Sequence, residues 1–271
     1  MKQWKLALSS ADAAPQTAPI LLKGTIEDNL RTAAALGYQA IEVHTREDVV
    51  LAYDSIRQVM KEENVRIAQI ITGRLNTEGH CSLMSDEPFV VEAAMKGMYA
   101  YIDMASNLAA DIVLGWVKGN VPAGRDRAVY MNRLAKNLSI LNEYAKPRNV
   151  RINIEVINHY EVNVFTTGAE LAGFLEEHQL DNCYVHLDTF HMNIEEDDML
   201  ETIRKAGKRI GYFHLADNQR WYPGSGQLDF AAILQTLEQA EYDGYLSVEC
   251  FPRGDGEETA RKALQHLQQL M

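Results

Sequence analysis

Residues 150–157 read VRINIEVI, a short run in which apolar and polar side chains alternate. Ile152 and Ile154 fall on one face of a strand and Asn153 and Glu155 on the other, because side chains alternate faces along a β-strand. Three later runs repeat this alternation. Their polar faces carry His186 and Asp188, Tyr212 and His214, and Ser247 and Glu249. In all four runs an ionisable residue therefore stands near the carboxyl end of the polar face.

These ionisable residues are spaced like successive units of a repeating fold. Glu155, Asp188, His214 and Glu249 follow one another at intervals of about 30 residues, the length of one strand–helix unit. If the apolar faces of the strands pack against helices, the polar faces point into a barrel. The four side chains then converge at the carboxyl end of the strands, where the active sites of such barrels lie.

Short apolar runs alternate with amphipathic stretches over the rest of the chain as well. Strands are predicted over residues 4–9, 40–44, 66–72, 111–116, 150–157, 184–187, 210–215 and 245–250. Helices are predicted over residues 25–36, 49–63, 89–109, 125–144, 168–178, 198–206, 230–240 and 257–270, with Thr25 as the first N-cap and Gly37 as the first stop. Eight such units predict an α/β fold, a (β/α)8 TIM barrel, with residues 1–271 forming one domain. A doubly wound open sheet is the alternative, but it would usually carry a Gly-rich turn after its first strand.

Composition and charge narrow the class of protein. The net charge is −12 with a pI near 5.1, which works against non-specific binding to nucleic acid or anionic membranes. Three scattered cysteines match no disulfide framework, the N-terminus lacks the apolar segment of a signal peptide, and no stretch is apolar enough to cross a bilayer. We therefore expect a soluble cytoplasmic protein.

Three carboxylates and one imidazole converging in a pocket would repel one another strongly without a counterion. A single divalent cation removes this conflict, and ligands rich in oxygen favour Mn²⁺, Mg²⁺ or Co²⁺ over a structural zinc site. The alternative interpretation of one such residue is a salt-bridge partner or a structural histidine. His186 lies deeper than Asp188, and a core position or one supporting the ligands is expected for it. The sequence shows no motif for an organic cofactor.

A cation bound between two glutamates permits proton transfer beside a carbonyl group. The cation would act as a Lewis acid on a sugar, and one glutamate would remove a proton that the other returns on the opposite face. A cis-enediolate would be the intermediate, with its charge stabilised by the metal.

At these residues the sequence resembles the xylose isomerase-like TIM barrel superfamily. The motifs are IEV at 154–156, HLDTFHMN at 186–193, HLADN at 214–218 with PGSG at 223–226, and VE at 248–249. They are most similar to the sugar epimerase and isomerase branch, which holds D-tagatose/D-psicose 3-epimerases, hydroxypyruvate isomerases and myo-inositol-catabolism proteins.

The resemblance also implies roles for individual residues. It places the metal on Glu155, Asp188, His214 and Glu249, and makes Glu155 and Glu249 the catalytic acid–base pair. It implies substrate contacts for His191, Arg220 and Glu161. Glu42, which ends a strand as in many relatives, is expected to be a pocket residue or else a structural partner. Trp116, at the end of the fourth strand, is expected to form an apolar wall under the sugar or else to be a packed aromatic. Homo-oligomers, dimers or tetramers, are common in the family and are expected here, with a small-molecule sugar as substrate.

Several functions remain open within and beyond this branch. A ketose 3-epimerase, acting on a ketose, a related keto sugar or a sugar acid, is the first choice. An inosose dehydratase and a hydroxypyruvate isomerase are the alternatives, because the same enediolate serves them. An apurinic endonuclease would need a further ligand where the third strand offers Gln69, and a true xylose isomerase would need a lysine shortly after Glu155. A non-catalytic sugar-binding protein is the last option. Two loops, residues 73–88 and 218–227, are expected to decide the substrate.

Overall fold

The computed structural model describes residues 2–271. Its strands are β1 Lys5–Ala11, β2 Leu22–Lys23, β3 Ala40–His44, β4 Arg66–Ile71, β5 Asp111–Leu114, β6 Ile152–Glu155, β7 Cys183–Asp188, β8 Ile210–Leu215 and β9 Tyr245–Val248. Its helices are α1 Ile26–Leu36, α2 Tyr53–Glu62, α3 Gly73–Thr77, α4 Pro88–Leu108, α5 Arg127–Ala145, α6 Gly168–Glu177, α7 Thr189–Glu195, α8 Met199–Ala206, α9 Phe230–Gln239 and α10 Gly256–Gln268.

The strands form one closed parallel barrel. Strands β1 and β3 to β9 pair in chain order, and the pairing of β1 with β9 closes the sheet, while the two-residue strand β2 lies beside β1. The helices surround this barrel. The (β/α)8 prediction is therefore confirmed, and a doubly wound open sheet is excluded by the closure.

The apolar faces of the strands supply the core between barrel and helices. Ile152, Ile154, Val185 and Leu187 have no accessible surface and belong to one large apolar cluster. Burial of this kind stabilises a fold by about 1.5–3 kcal/mol for each large aliphatic side chain. The opposite faces point inward, as the alternation predicts, so the polar residues of the late strands share the barrel interior.

The helix signals at the start of the chain are confirmed. Thr25 is the N-cap of α1, and its hydroxyl accepts a hydrogen bond of 3.1 Å from the backbone N–H of Asp28. Gly37 ends the helix with φ of 93°, a left-handed conformation that costs glycine little. The predicted helix at 49–63 begins later, at Tyr53, and Val50 in the preceding loop is 96% exposed.

Two segments of the mouth differ from the prediction. Residues 73–88 were expected to be a loop, but they begin with the short helix α3, whose Leu75 is buried and packs close to Gly97 of α4. The strand predicted over 111–116 ends at Leu114, and Trp116 begins a 3₁₀ turn, Trp116–Lys118. Among residues 2–271, no helix combines the length and apolarity needed to cross a bilayer.

Candidate active site

Four ionisable side chains meet at the carboxyl ends of the late strands. Glu155 and Asp188 are the last residues of β6 and β7, His214 is the last but one of β8, and Glu249 follows β9 directly. Asp188 pairs in register with His214, which sets both at the same depth. One ligand atom from each of the four residues lies within 4.8 Å of the others. The structure therefore brings together the four residues to which the sequence assigns the metal.

The distances and free atoms of this cluster fit a cation. His214 Nδ1 lies 3.5 Å from Glu249 Oε2, 3.8 Å from Asp188 Oδ2 and 4.0 Å from Glu155 Oε1. Nδ1 is buried and has no hydrogen-bond partner among the described residues, and a polar atom buried in that way is costly unless a ligand takes it up. Three carboxylates with one imidazole suit Mn²⁺, Mg²⁺ or Co²⁺.

The shifted pKa values in the cluster also indicate that its negative charges are not fully balanced. Burial, together with the nearby charges of Glu249 and Asp188, raises the pKa of Glu155 to about 8. Burial disfavours the charged form of His214, but Glu42 and Glu249 hold the pKa of its imidazole well above the usual range. The carboxylates thus compete for the few cationic groups present, and a cation with two charges would relieve the repulsion.

Arg220 and His191 lie beside this cluster. Arg220 Nη2 donates a hydrogen bond of 2.5 Å to Glu249 Oε2 and lies 3.5 Å from Asp188 Oδ2. His191 Nε2 is 3.4 Å from Arg220 Nη1 and 3.8 Å from Glu155 Oε1. Burial lowers the pKa of His191 to about 4, although Asp188 opposes the shift. A neutral imidazole and a guanidinium thus face the two glutamates from the same side.

The loop that follows β8 is organised by Asp217, and this loop positions Arg220. The buried Asp217 carboxylate accepts hydrogen bonds from the backbone N–H groups of five residues: Asn218, Gly224, Gly226, Gln227 and Leu228. Gly224 has φ of 89°, and Arg220 itself has φ of 56°. A non-glycine residue in the left-handed region persists only where its surroundings hold it there.

Replacement of Asp217 by Ala is expected to lower the free energy of unfolding by about 3 kcal/mol, because five donors lose a charged acceptor. Asn218→Ala removes a single acceptor, that of the Gln227 N–H at 3.1 Å, and should cost less than about 1 kcal/mol. Urea unfolding of both variants checks the difference. Equal losses in the two variants would show that Asp217 does not organise the loop.

A cavity of about 430 Å³ opens above the cluster. Glu155, Glu249, His191, Arg220 and Glu161 line its floor and sides, and Trp116 lies in its wall with 38% of its surface exposed. Residues 12–20, here named the mouth loop, contribute much of the apolar wall through Ala13, Ala14, Pro15, Ala18, Pro19 and Ile20. The sequence-predicted positions of Glu161, His191, Arg220 and Trp116 are therefore all at the cavity.

Glu42 does not line the cavity, so the pocket position predicted for it is wrong and its alternative, a structural partner, agrees with its contacts. It is fully buried, and its Oε2 lies 2.9 Å from His214 Nε2. The physical reason is depth: Glu42 lies two residues before the end of β3, so His44 occupies the level of the cavity instead. Burial raises the pKa of a carboxyl group, but the His214 charge and hydrogen bond hold that of Glu42 well below its usual range.

His186 has a core position, as the sequence suggests, and both of its ring nitrogens are buried without hydrogen-bond partners among the described residues. Its ring packs edge-on against that of His214, with centroids 4.1 Å apart. Gln69 lies lower in the barrel and accepts a 3.0 Å hydrogen bond from Asn153 Nδ2. Gln69 therefore belongs to a polar layer under the cluster.

Three features of the site escaped the sequence analysis. His44 lines the cavity, and its Nε2 lies 3.6 Å from Glu249 Oε1; the alternation along β3 places it on the inner face with Glu42 and could have identified it. Lys118 is fully buried and donates to the backbone carbonyls of Gly115 and Glu155. Burial lowers the pKa of Lys118 to about 8, against the opposing charge of Glu155. No pattern in the sequence indicates Lys118 or the mouth loop.

Comparison with known proteins identifies the family of the chain. A family model described as a xylose isomerase-like TIM barrel matches residues 30–270. The chain is 31% identical to the L-ribulose 3-epimerase of Methylomonas sp. (strain DH-1) over 222 residues, which cover 81% of this chain and 76% of that protein. It is 29% identical to the D-psicose 3-epimerase of Enterocloster bolteae over 231 residues, which cover 80% of this chain and 74% of that protein.

A solved structure resembles the whole chain. The D-allulose 3-epimerase from Methylomonas sp., in complex with D-allulose, superposes with a TM-score of 0.82 at 25% identity, over 100% of this chain and 98% of that one. The resemblance inferred from the late-strand motifs is thereby confirmed over both halves of the barrel. The chain belongs to the xylose isomerase-like TIM barrel family, as an enzyme of its sugar isomerase and epimerase branch.

Proposed function

We propose that the chain is a divalent-metal-dependent epimerase of a ketose or a related keto sugar, working by proton transfer beside the carbonyl carbon. The observation that carries this proposal is the placement of two glutamates, Glu155 and Glu249. Both line the cavity, and both belong to the cluster in which one ligand atom of each residue lies within 4.8 Å of the others. The named relatives, which are epimerases of L-ribulose and D-psicose, favour the same chemistry.

The proposed roles of the two glutamates follow from the positions of their strands in the barrel. Glu155 ends β6 and Glu249 follows β9, with two strands between them, so a sugar bound at the mouth meets one carboxylate on each side. One carboxylate removes the proton from the carbon next to the carbonyl, and the other returns a proton to the opposite face. The result is inversion at that carbon without a redox cofactor.

The proposed cation ligands are Glu155, Asp188, His214 and Glu249, with Mn²⁺ as the first choice and Mg²⁺ or Co²⁺ as alternatives. A bound cation would supply Lewis-acid stabilisation of the negative charge that develops on the substrate oxygens. Asp188 is already oriented to bind a cation, since its Oδ1 accepts a 2.8 Å hydrogen bond from the Phe190 N–H and caps α7. Its Oδ2 remains directed at His214.

His191 and Arg220 are proposed to hold and polarise the oxygens of the sugar. Both are rigid, since Asn158 contacts His191 Nδ1 at 2.7 Å and the guanidinium of Arg220 packs over the Phe190 ring at 4.8 Å. Glu161 and Trp116 are proposed as contacts further from the reacting carbon, with Trp116 giving an apolar surface. A homo-oligomer is also proposed, on the family resemblance alone.

The test uses protein stripped of metal and then loaded with Mn²⁺, Mg²⁺ or Co²⁺. Each form is incubated in D₂O with L-ribulose, D-psicose, D-fructose, D-tagatose, an inosose and hydroxypyruvate, and the products are identified by NMR. The expected result is metal-dependent epimerisation of a ketose, with deuterium on the inverted carbon. Loss of water from the inosose, or isomerisation of hydroxypyruvate alone, would replace the proposal by a dehydratase or an isomerase.

A further inference from the structure

A carboxylate that the proposed reaction does not use lies directly behind the cluster. Glu42 is fully buried below the floor of the cavity, and it contacts Nε2 of His214, whereas Glu155, Asp188 and Glu249 face Nδ1. A carboxylate oxygen of Glu42 also lies within 4.8 Å of ligand atoms of His44 and Glu249. The pairing of β3 with β4 shifts register between Ile41 and Glu42, an irregularity of the kind that redirects side chains near active sites. The contacts of this buried carboxylate indicate its function.

Those contacts determine which nitrogen of His214 carries the proton. Glu42 Oε2 accepts a hydrogen bond of 2.9 Å from the Tyr212 hydroxyl and lies 2.9 Å from His214 Nε2. Because this oxygen acts as an acceptor toward Tyr212, the short contact with Nε2 places an N–H on that nitrogen. In a neutral imidazole the other nitrogen, Nδ1, then presents its lone pair, and Nδ1 is the atom that faces the three carboxylates.

We propose that Glu42 is a positioning residue that selects Nδ1 of His214 as the metal-binding atom and raises its basicity as a ligand. The inference rests on the proposed metal site. Glu42 Oε2 makes the contacts with Tyr212 and His214, while its other oxygen, Oε1, lies 3.5 Å from His44 Nε2. His44 Nε2 is in turn 3.6 Å from Glu249 Oε1, so the Glu42 carboxylate contacts one member of the cluster, His214, and one residue beside it, His44.

The geometry distinguishes this role from two others, a contact with the sugar and a purely structural function. Glu42 cannot contact a sugar, because no part of it lines the cavity and its accessible surface is zero. A merely structural acid inside the barrel would influence folding but would not discriminate between the nitrogens of His214. Two quantities, both measured without substrate, therefore distinguish the proposal. One is the affinity of the protein for a cation, and the other is which ring nitrogen of His214 carries the proton.

The variant Glu42→Gln keeps the size of the side chain and removes its charge. Partners of this kind behind a metal-binding histidine typically contribute 10- to 100-fold to metal affinity, so we expect the dissociation constant for Mn²⁺ to rise by about that factor. Tyr212→Phe is the matched control, because it removes a hydrogen bond to the same oxygen but keeps the contact with His214. Its dissociation constant should change by less than about threefold, since the contact on which the effect depends is kept.

A measurement on the unaltered protein covers the case in which Glu42→Gln does not fold. In protein labelled with ¹⁵N-histidine and loaded with ¹¹³Cd²⁺, the ring nitrogen that binds the metal is identified by its coupling to cadmium. The expected result is one cadmium-coupled histidine, bound through Nδ1, whose Nε2 carries a proton. Coupling through Nε2, or an Mn²⁺ affinity of folded Glu42→Gln equal to that of the unaltered protein, would overturn the inference alone. Failure of the unaltered protein to bind any cation would overturn the proposed function and this inference with it.

Discussion

Replacing Glu249 by Gln, or Glu155 by Gln, is expected to lower kcat for the epimerisation by about 10²- to 10⁴-fold, the range typical of a lost general acid or base. The amide keeps the shape of the side chain but cannot accept or return a proton at the substrate carbon. Both residues lie at the cavity with their carboxylates in the cluster, so both variants should be affected. The rate of epimer formation, followed by NMR at saturating Mn²⁺, is the measurement.

Both substitutions also alter proposed metal ligands, so the experiment has to separate the loss of proton transfer from the loss of metal binding. Metal content is therefore determined for each variant, and rates are compared per bound ion. Glu238→Gln is the matched control, since Glu238 is exposed near the end of α9 and does not line the cavity, and its rate should equal that of the unaltered protein. If either glutamate variant, fully loaded, epimerised at the normal rate, that glutamate would have no part in proton transfer.

Removing the metal is expected to have the second large effect, a loss of epimerisation and of deuterium exchange together. Without a cation, burial and the charges of Glu249 and Asp188 raise the pKa of Glu155 to about 8, so near neutral pH this carboxyl is largely protonated and a poor base. Chelation should also destabilise the fold, since a ligand at 100 times its dissociation constant stabilises the native state by about 2.7 kcal/mol.

Thermal unfolding and activity are therefore measured on the same stripped sample, before and after one equivalent of Mn²⁺. Recovery of both quantities is the expected result. A stripped sample that unfolds at a lower temperature but keeps its activity would assign the cation a structural role only.

The fold could be predicted from the sequence because the barrel repeats one simple pattern. The alternation in residues 150–157 fixes which face of a strand is apolar, and its recurrence at regular intervals predicts closure. The ends of individual strands and helices were less predictable because they depend on tertiary contacts. The helix α3 forms where Leu75 finds a buried place near Gly97, and the last part of the predicted fourth strand becomes the 3₁₀ turn that begins at Trp116.

The cluster itself could be predicted because each of its members lies at or next to the carboxyl end of a strand, on the polar face. Alternation alone does not determine which of two inner-face residues of one strand reaches the cavity, and this decides the case of Glu42. The alternation gives Glu42 and His44 the same inner face, but only the structure shows that His44 reaches the cavity while Glu42 lies behind His214. Lys118 was missed for another reason: its place depends on a turn, and its Nζ lies 3.1 Å from the Glu155 carbonyl oxygen across 37 positions of sequence.

The most direct test of the account is a titration of deuterium exchange with metal. Stripped protein in D₂O is supplied with the ketose that it epimerises, and Mn²⁺ is added stepwise while NMR follows the label on the carbon beside the carbonyl. We predict no exchange without metal and a rate that rises until one ion is bound per chain, with Glu155→Gln and Glu249→Gln both failing to invert the carbon. Exchange at full rate in the stripped protein, or a saturated protein that inverts the carbon without exchange, would contradict metal-assisted proton transfer at this site.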